Sequence, residues 1–170
     1  MDITTYIRTH SGFPKQHVVY HDFTPMLADP TALAAACDRI AQGFADLPVT
    51  HLAAIESKGF ALGGALAIRL GLPLVLVRKP GLTPGPVLRQ DFVKEYGQAS
   101  YEIGSGRIGS GDTALIIYDI LAGPGATSAA ISLIEGSGAA VAGAAFVCEL
   151  AALGGREALG GYRVLSLAVF

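Results

Sequence analysis

The order of short apolar runs and helical patterns limits this chain to few folds. Residues 49–55 and 73–77 are continuous apolar runs, and residues 59–70 between them form an Ala- and Leu-rich helical pattern that stops at Gly71. The runs lack polar alternation, so each predicted strand is buried on both faces, as in a parallel sheet. Parallel strands need a crossover connection, which the helix supplies. The sequence therefore predicts a strand–helix–strand unit.

The same order returns in the second half of the chain. An apolar run at 114–117 precedes a helical pattern at 127–135, a second apolar run at 139–150 and a last strand at 162–169. A further helical pattern covers residues 29–47. With 170 residues, the chain has room for one domain. We predict a single-domain α/β fold: an open, mostly parallel twisted sheet with helices on both faces.

Charge and cysteine usage exclude several classes of function. The net charge is −2 and no run of Lys or Arg occurs, so we expect neither nucleic-acid nor membrane partners. The first ten residues contain no apolar signal segment, and we expect a cytoplasmic location. Cys37 and Cys148 lie far apart in apolar stretches, and we predict buried free thiols.

Residues 78–111 interrupt the strand–helix order. The segment contains Pro80, Pro84 and Pro86 together with several glycines and charges. A long irregular segment in a compact domain is usually functional, often a lid over a binding site. A solvated hairpin without function is the alternative interpretation.

The turn after residues 114–117 is the strongest candidate site. Asp119 lies at the end of the strand predicted here, and a loop of small residues, 122–126, leads into the next helical pattern. Ligands collect at the carboxyl ends of strands in open α/β sheets, and a helix N-terminus behind a glycine loop favours phosphate. A plain tight turn is the alternative for this segment.

Several segments, in order, resemble the adenine phosphoribosyltransferases, which are type I phosphoribosyltransferases. They are GFPKQHVVYHDFTPML at 12–27, IESKGFALGGALAIRLGLPLVLVRKPG at 55–81, EYG at 95–97, and FVCEL and GGRE around Glu149 and Arg156. The resemblance covers nearly the whole chain and needs almost no gaps. It implies a base-binding hood at residues 1–27 and a lid within residues 78–111.

The resemblance also implies an activity. The family transfers 5-phosphoribose from phosphoribosyl pyrophosphate (PRPP) to a purine, with adenine the leading base, giving AMP and pyrophosphate with Mg²⁺. The metal would be bound mainly through the substrate, with no dedicated protein metal site. The resemblance implies a homodimer and catalytic roles for Glu95 and Asp119. The substrate-binding residues that it implies are Tyr20, His21, Ser57, Lys58, Gly59, Arg78, Lys79, Tyr96, Tyr118, Ala122, Gly123, Gly125, Ala126 and Thr127.

The loop after Asp119 departs from the family pattern. Tyr118 replaces the first of two adjacent acids, and Ala122-Gly123-Pro124-Gly125-Ala126 replaces Ala-Thr-Gly-Gly-Thr. Pro124 removes a backbone N–H from the phosphate loop. The alternative function is therefore an impaired or repurposed relative that binds a purine, a nucleotide or another phosphorylated ligand. If the loop is the defect, Tyr118→Asp with Pro124→Gly should raise activity.

Overall fold

A computed structural model of the chain describes residues 1–94 and 97–170. The helices are α1 (Thr24–Ala28), α2 (Pro30–Gly43), α3 (Gly59–Leu70), α4 (Gly125–Gly136) and α5 (Gly155–Ala158). The strands are β1 (Arg8–Ser11), β2 (Val19–Asp22), β3 (His51–Ile55), β4 (Leu74–Val77), β5 (Val87–Lys94), β6 (Gly97–Gly104), β7 (Thr113–Leu121), β8 (Ala140–Glu149) and β9 (Arg163–Val169). No helix in the described ranges is long and apolar enough to cross a membrane.

The central sheet confirms the predicted fold class. Five strands lie in the order β4-β3-β7-β8-β9, and every neighbouring pair is parallel. The first strand of this sheet along the chain is β3, the edge strand β4 is added on one side of it, and the chain then crosses back to the central strand β7 on its other side. The carboxyl ends of β3 and β7 are therefore adjacent, which is where α/β folds bind ligands.

Two hydrophobic cores cover the two faces of the sheet. On one face, α2 and α3 pack against strand residues such as Leu52, Leu115 and Ile117. On the other face, α4 and the strand β6 pack against residues such as Ile116 and Phe146. Helices on both faces were predicted, and the alternation of residues along each strand decides which core a side chain enters.

Two boundaries differ from the sequence prediction. The helix predicted over 29–47 ends at Gly43, because Phe44 leaves helical geometry and its N–H caps the carbonyl groups of the last turn. Residues 78–111 were predicted to be an irregular lid, with a solvated hairpin as the alternative, and β5 and β6 form a regular antiparallel hairpin outside the central sheet. Their mixed charged and apolar composition hid both strands from an analysis based on continuous apolar runs.

The N-terminal segment forms a separate layer. The strands β1 and β2 pair in antiparallel fashion, with Thr9 opposite His21 and His10 opposite Tyr20. A short 3-10 helix, Ile3–Tyr6, precedes them. Ile3, Phe23 and Met26 anchor this layer in the core that α2 and α3 share. The anchored segment holds β2 next to the ligand end of the sheet.

Candidate active site

Two connecting segments meet at the carboxyl end of the sheet. The turn from Glu56 to Lys58 follows β3, and the loop from Ala122 to Pro124 follows β7. Since β3 and β7 are paired, with Ala54 opposite Ile117, the two segments lie side by side. The topology therefore brings together two regions that the sequence analysis selected separately.

Lys58 and Asp119 form an ion pair across this edge. The Lys58 Nζ lies 3.0 Å from Asp119 Oδ2. Asp119 is only 7% exposed, whereas one-third of the Lys58 side chain is exposed. A buried carboxylate needs a charged or hydrogen-bonding partner, and Lys58 provides it.

The hood contributes a third member of this cluster. The Lys58 Nζ donates a hydrogen bond of 2.9 Å to the Tyr20 hydroxyl oxygen, and it also lies over the rings of Tyr20 and Phe23 at 5.1 and 4.9 Å. Aromatic faces attract a cation at such distances. Burial alone would lower the pKa of Lys58, but the bonds to Tyr20 and Asp119 outweigh it and raise the pKa. Lys58 is therefore charged at neutral pH.

The turn after β3 requires a glycine where α3 begins. A Cβ atom on Gly59 would lie 2.9 Å from the Ile117 carbonyl oxygen, so a side chain would push α3 away from β7. The peptide bond between Glu56 and Ser57 is cis. Gly59 is buried and Ser57 is exposed, so the turn presents Ser57 to solvent.

Glu56 connects the turn after β3 to the segment after β4. Its Oε2 atom accepts a hydrogen bond of 3.0 Å from the Lys79 backbone N–H and lies 3.7 Å from Arg78 Nε. Arg78 also donates from its guanidinium to the Leu82 carbonyl oxygen at 2.7 Å. The Arg78 side chain is therefore engaged within its own loop, while Lys79 is exposed at the same edge.

The loop after β7 leads into the N-terminus of α4. Pro124 is the N-cap residue, and in the described part of the chain no side chain caps this end. The first backbone N–H groups of α4 are thus free to bind an anion. A Cβ on Gly123 would meet open space, whereas one on Gly125 would lie 2.6 Å from the Val93 carbonyl oxygen. The β5–β6 hairpin therefore lies directly against this loop.

Tyr118 and Asp119 point to opposite faces of the sheet. Tyr118 packs into the core beneath the hairpin, and its hydroxyl shares a hydrogen bond with that of Tyr101 on β6. Burial raises the pKa of Tyr118, and the neighbouring Tyr101 and Asp119 raise it further. Tyr118 is therefore neutral at physiological pH and supplies no negative charge to the site.

Similarity to known proteins identifies the family of the chain. No protein-family model matches the chain. The adenine phosphoribosyltransferase of Synechococcus sp. is 42% identical over 94% of the chain and 91% of that protein, and that of Cenarchaeum symbiosum is 38% identical over the full length of both. The chain belongs to the adenine phosphoribosyltransferase family.

Solved structures of the family share the fold. The adenine phosphoribosyltransferase of Thermoanaerobacter pseudethanolicus superposes with a TM-score of 0.94 at 36% identity, over 99% of this chain and 98% of that chain. The Giardia lamblia enzyme, solved with 9-deazaadenine, gives a TM-score of 0.93 at 33% identity over 99% and 96% of the two chains. The type I phosphoribosyltransferase fold predicted from the sequence is thus confirmed.

His21, the second residue assigned to the hood of the adenine phosphoribosyltransferase fold, lies away from the Lys58 cluster. Its ring stacks on that of Phe170 with centroids 3.9 Å apart, and its Nδ1 lies 3.4 Å from the Thr9 hydroxyl oxygen. Burial lowers the pKa of His21, which favours the neutral ring. The described contacts place His21, on β2, against the C-terminal residue Phe170.

The remaining predicted residues fall into two groups. Ala122 lies in the loop and Ala126 in the first turn of α4, and Thr127, in the same turn, is buried with 1% of its surface exposed. Glu95 and Tyr96 lie outside the described residues, and their predicted roles stay predictions.

Sequence reasoning missed three neighbours of the site. Glu56 comes directly after β3, and since ligands bind at the carboxyl ends of strands, its position alone would have selected it. Phe23 and Tyr101 lie in separate segments of the chain and contact the site only through the tertiary fold. No local sequence signal identifies them.

Few acidic side chains lie together at this edge of the sheet. Among residues 1–94 and 97–170, no group of three or more His, Cys, Asp or Glu side chains is placed to hold a metal ion. Mg²⁺ retains waters and substrate phosphates in such sites and needs few protein ligands. The Asp119 carboxylate, at the edge between the two segments, fits that requirement.

Proposed function

We propose that this chain is an adenine phosphoribosyltransferase that transfers 5-phosphoribose from PRPP to adenine, giving AMP and pyrophosphate in purine salvage. The observation that carries the proposal is full-length similarity: about two-fifths of residues are identical to adenine phosphoribosyltransferases across 94–100% of the chain. The Lys58–Asp119 cluster at the strand ends supports it, because it places opposite charges where a phosphorylated sugar would bind.

In this proposal the ribose lies over Asp119. Positive charge builds up on the anomeric carbon as pyrophosphate departs, and a nearby carboxylate stabilises that charge. Asp119 would accept hydrogen bonds from the ribose hydroxyls. Its burial at 7% exposure strengthens such contacts, since charge interactions are stronger away from water.

The two phosphorylated ends of PRPP fit the two connecting segments. The turn of Ser57, Lys58 and Gly59 would bind pyrophosphate through backbone N–H groups and the ammonium group, and Lys79 would add charge at its rim. The 5′-phosphate would lie at the N-terminus of α4, against Gly123. The ribose, lying over Asp119, would span the distance between these two segments.

Mg²⁺ is part of the proposal as a cofactor that arrives with PRPP. When bound, it neutralises the charge of the departing pyrophosphate oxygens. Asp119 is the described acid that we expect to contact it, directly or through water.

The hood and the hairpin would enclose the reactants. Tyr20 offers its ring to the base next to Phe23, and residues 1–27 serve as the hood. The hairpin of β5 and β6 covers the α4 end of the site through the contact of Val93 with Gly125. A covering hairpin excludes water, and we propose that Glu95 and Tyr96 act from this lid.

Exposed apolar side chains on α3 and β4 bear on the oligomeric state. Ile68 on α3 is 88% exposed, and Leu70 and Leu76 are also exposed, which supports a homodimer. A cytoplasmic location stays a prediction from the sequence.

AMP formation by the purified protein from adenine and PRPP, with and without Mg²⁺, tests the function. We expect Mg²⁺-dependent AMP, and little product from guanine or hypoxanthine. Glu95→Ala should reduce turnover far more than stability. A folded protein that makes no nucleotide from any of the three bases would contradict the proposal.

The second candidate is a non-catalytic relative that binds a purine, a nucleotide or another phosphorylated ligand. Two observations favour it: Tyr118 is neutral and turned into the core, and Pro124 lacks a backbone N–H at the phosphate loop. Thermal shift separates the candidates. Mg²⁺-dependent protection by PRPP favours the enzyme, whereas protection by AMP or adenine alone favours the binder.

A further inference from the structure

Lys58 has three N–H donors and connects two parts of the site that lie far apart in the sequence. It donates to the Tyr20 oxygen at 2.9 Å and contacts Asp119 Oδ2 at 3.0 Å. Among the described residues these are its two oxygen partners, so one N–H remains for a substrate atom. Tyr20 lies on β2 in the hood, whereas Asp119 lies on β7 in the central sheet.

The ammonium group is held in place more firmly than in a surface ion pair. Tyr20 is half-buried, Phe23 is buried, and both rings lie within about 5 Å of Nζ. Asp119 is nearly inaccessible. The raised pKa of Lys58 is consistent with this environment, since both oxygen partners favour the charged form.

From this geometry we propose that Lys58 is a positioning residue that couples the hood to the ribose site. The Tyr20 hydroxyl orients the ammonium group, and the ammonium group orients the Asp119 carboxylate. The inference rests on the proposed function, because it takes Asp119 as the residue that contacts ribose. A change in the hood thus alters PRPP binding even when no base is present.

The proposed coupling and a simple base-binding role for Tyr20 predict different effects of removing the Tyr20 hydroxyl. If Tyr20 only stacked on the base, loss of its hydroxyl would leave PRPP binding unchanged, because the ring remains. If Lys58 transmits its effect, loss of the hydroxyl weakens PRPP binding, and the weakening disappears once Lys58 is removed. Interaction between two substitutions is the signature of such a pair.

Titration calorimetry of PRPP with Mg²⁺, without a base so that no turnover occurs, tests the coupling in four proteins: wild type, Tyr20→Phe, Lys58→Met and the double variant. We expect Tyr20→Phe to weaken binding about threefold to tenfold, as for one hydrogen bond of ordinary strength, and Lys58→Met by at least about tenfold. The double variant should match Lys58→Met within about twofold.

Two further variants serve as controls. Tyr6→Phe removes a tyrosine hydroxyl that contacts Asp29 instead, and it should bind PRPP as the wild type does. Lys58→Arg keeps the charge and should bind PRPP more tightly than Lys58→Met. Thermal melting of each protein shows that it is folded.

The results distinguish the inference from the proposed function. Wild-type affinity for PRPP in Tyr20→Phe, or an equal loss with and without Lys58, would overturn the coupling even if AMP forms. Coupled binding without AMP formation would sustain the role of Lys58 and overturn the enzyme proposal. A wild-type protein that does not bind PRPP would overturn both.

Discussion

Asp119 and Glu149 are two buried carboxylates near the ends of adjacent parallel strands. Asp119 lies on β7 and is 7% exposed; Glu149 ends β8, pairs with Leu121 in the sheet and is 3% exposed. By position and burial the two acids are alike. By their partners they are not.

Glu149 accepts three hydrogen bonds from side chains of the protein. Arg156 donates to both of its oxygens, at 2.8 and 2.5 Å, and the Ser166 hydroxyl donates to Oε2 at 2.5 Å. These bonds join β8, α5 and β9. Arg156 foremost lowers the pKa of Glu149 through its hydrogen bonds. Glu149 is therefore a structural acid.

Asp119 keeps capacity for a ligand. Among the described contacts, its one charged partner is Lys58, which contacts Oδ2 and is one-third exposed. A carboxylate can accept about four hydrogen bonds, so sites remain for ribose hydroxyls or a hydrated cation. Strand-end position thus selects both acids as candidates, and the number of protein partners makes Asp119 the one that we expect to bind substrate.

Asp119→Asn should have the largest effect on activity. The amide keeps the shape but loses the charge that supports the transition state and pairs with Lys58. We expect kcat/KM for AMP formation to fall by about a hundredfold or more, equivalent to about 2.7 kcal/mol. Steady-state kinetics checks this, with thermal melting to show that the variant remains folded.

The matched control for that variant is Glu149→Gln, made on the neighbouring strand. If both variants lost turnover to the same extent while folded, the distinction between a substrate-binding and a structural acid would be wrong.

Glu149→Gln should instead reduce stability. Loss of the charge leaves the Arg156 guanidinium without its counter-ion, and we expect the free energy of unfolding to fall by about 2 kcal/mol. This is less than the cost of breaking a fully buried ion pair, because Arg156 is partly exposed. Denaturant unfolding measures this quantity. The folded fraction should retain kcat/KM within about threefold, and a hundredfold loss would contradict the assignment.

The sequence predicted the parts that depend on local patterns. The helix over 59–70 and the buried parallel strands follow from apolar periodicity and from Gly71. The ion pair of Lys58 with Asp119 could not be derived, because it depends on the pairing of β3 with β7. The positions of β5 and β6 could not be predicted, because these strands lack a continuous apolar pattern.

The structure also revises the expectation for restoring the phosphate loop. Tyr118 packs into the core with Tyr101, so Tyr118→Asp would remove this packing and bury a carboxylate. Pro124→Gly, by contrast, changes an exposed residue and adds one backbone N–H at the α4 end.

Pro124→Gly alone should therefore strengthen PRPP binding by about tenfold, which corresponds to the low end, about 1.5 kcal/mol, of the range for one hydrogen bond to a charged group. Titration calorimetry measures it, and Pro124→Ala, which restores the N–H without the flexibility of glycine, is the control. Addition of Tyr118→Asp should cancel the gain. A further improvement on adding that change would contradict the buried position of Tyr118.

The smallest predicted effect is on the acid dependence of stability. The pKa of Glu149 is lowered in the folded state, so its contribution is present above the unfolded value of about 4.5 and is lost as the pH falls through the folded value. Below pH 4.5, the unfolding free energy of Glu149→Gln should fall less steeply than that of wild type, by less than about 1.4 kcal/mol per pH unit. Unfolding curves at several pH values test this, and parallel slopes would contradict it.

The most direct test of the account is a crystal structure of the protein with AMP. We predict the ribose hydroxyl oxygens within about 2.5–3.0 Å of the Asp119 carboxylate, the phosphate at the N-terminus of α4, and Glu149 still bonded to Arg156 and Ser166. A ribose bound away from Asp119, with the Lys58–Asp119 pair unchanged, would contradict the assignment of this edge of the sheet as the active site.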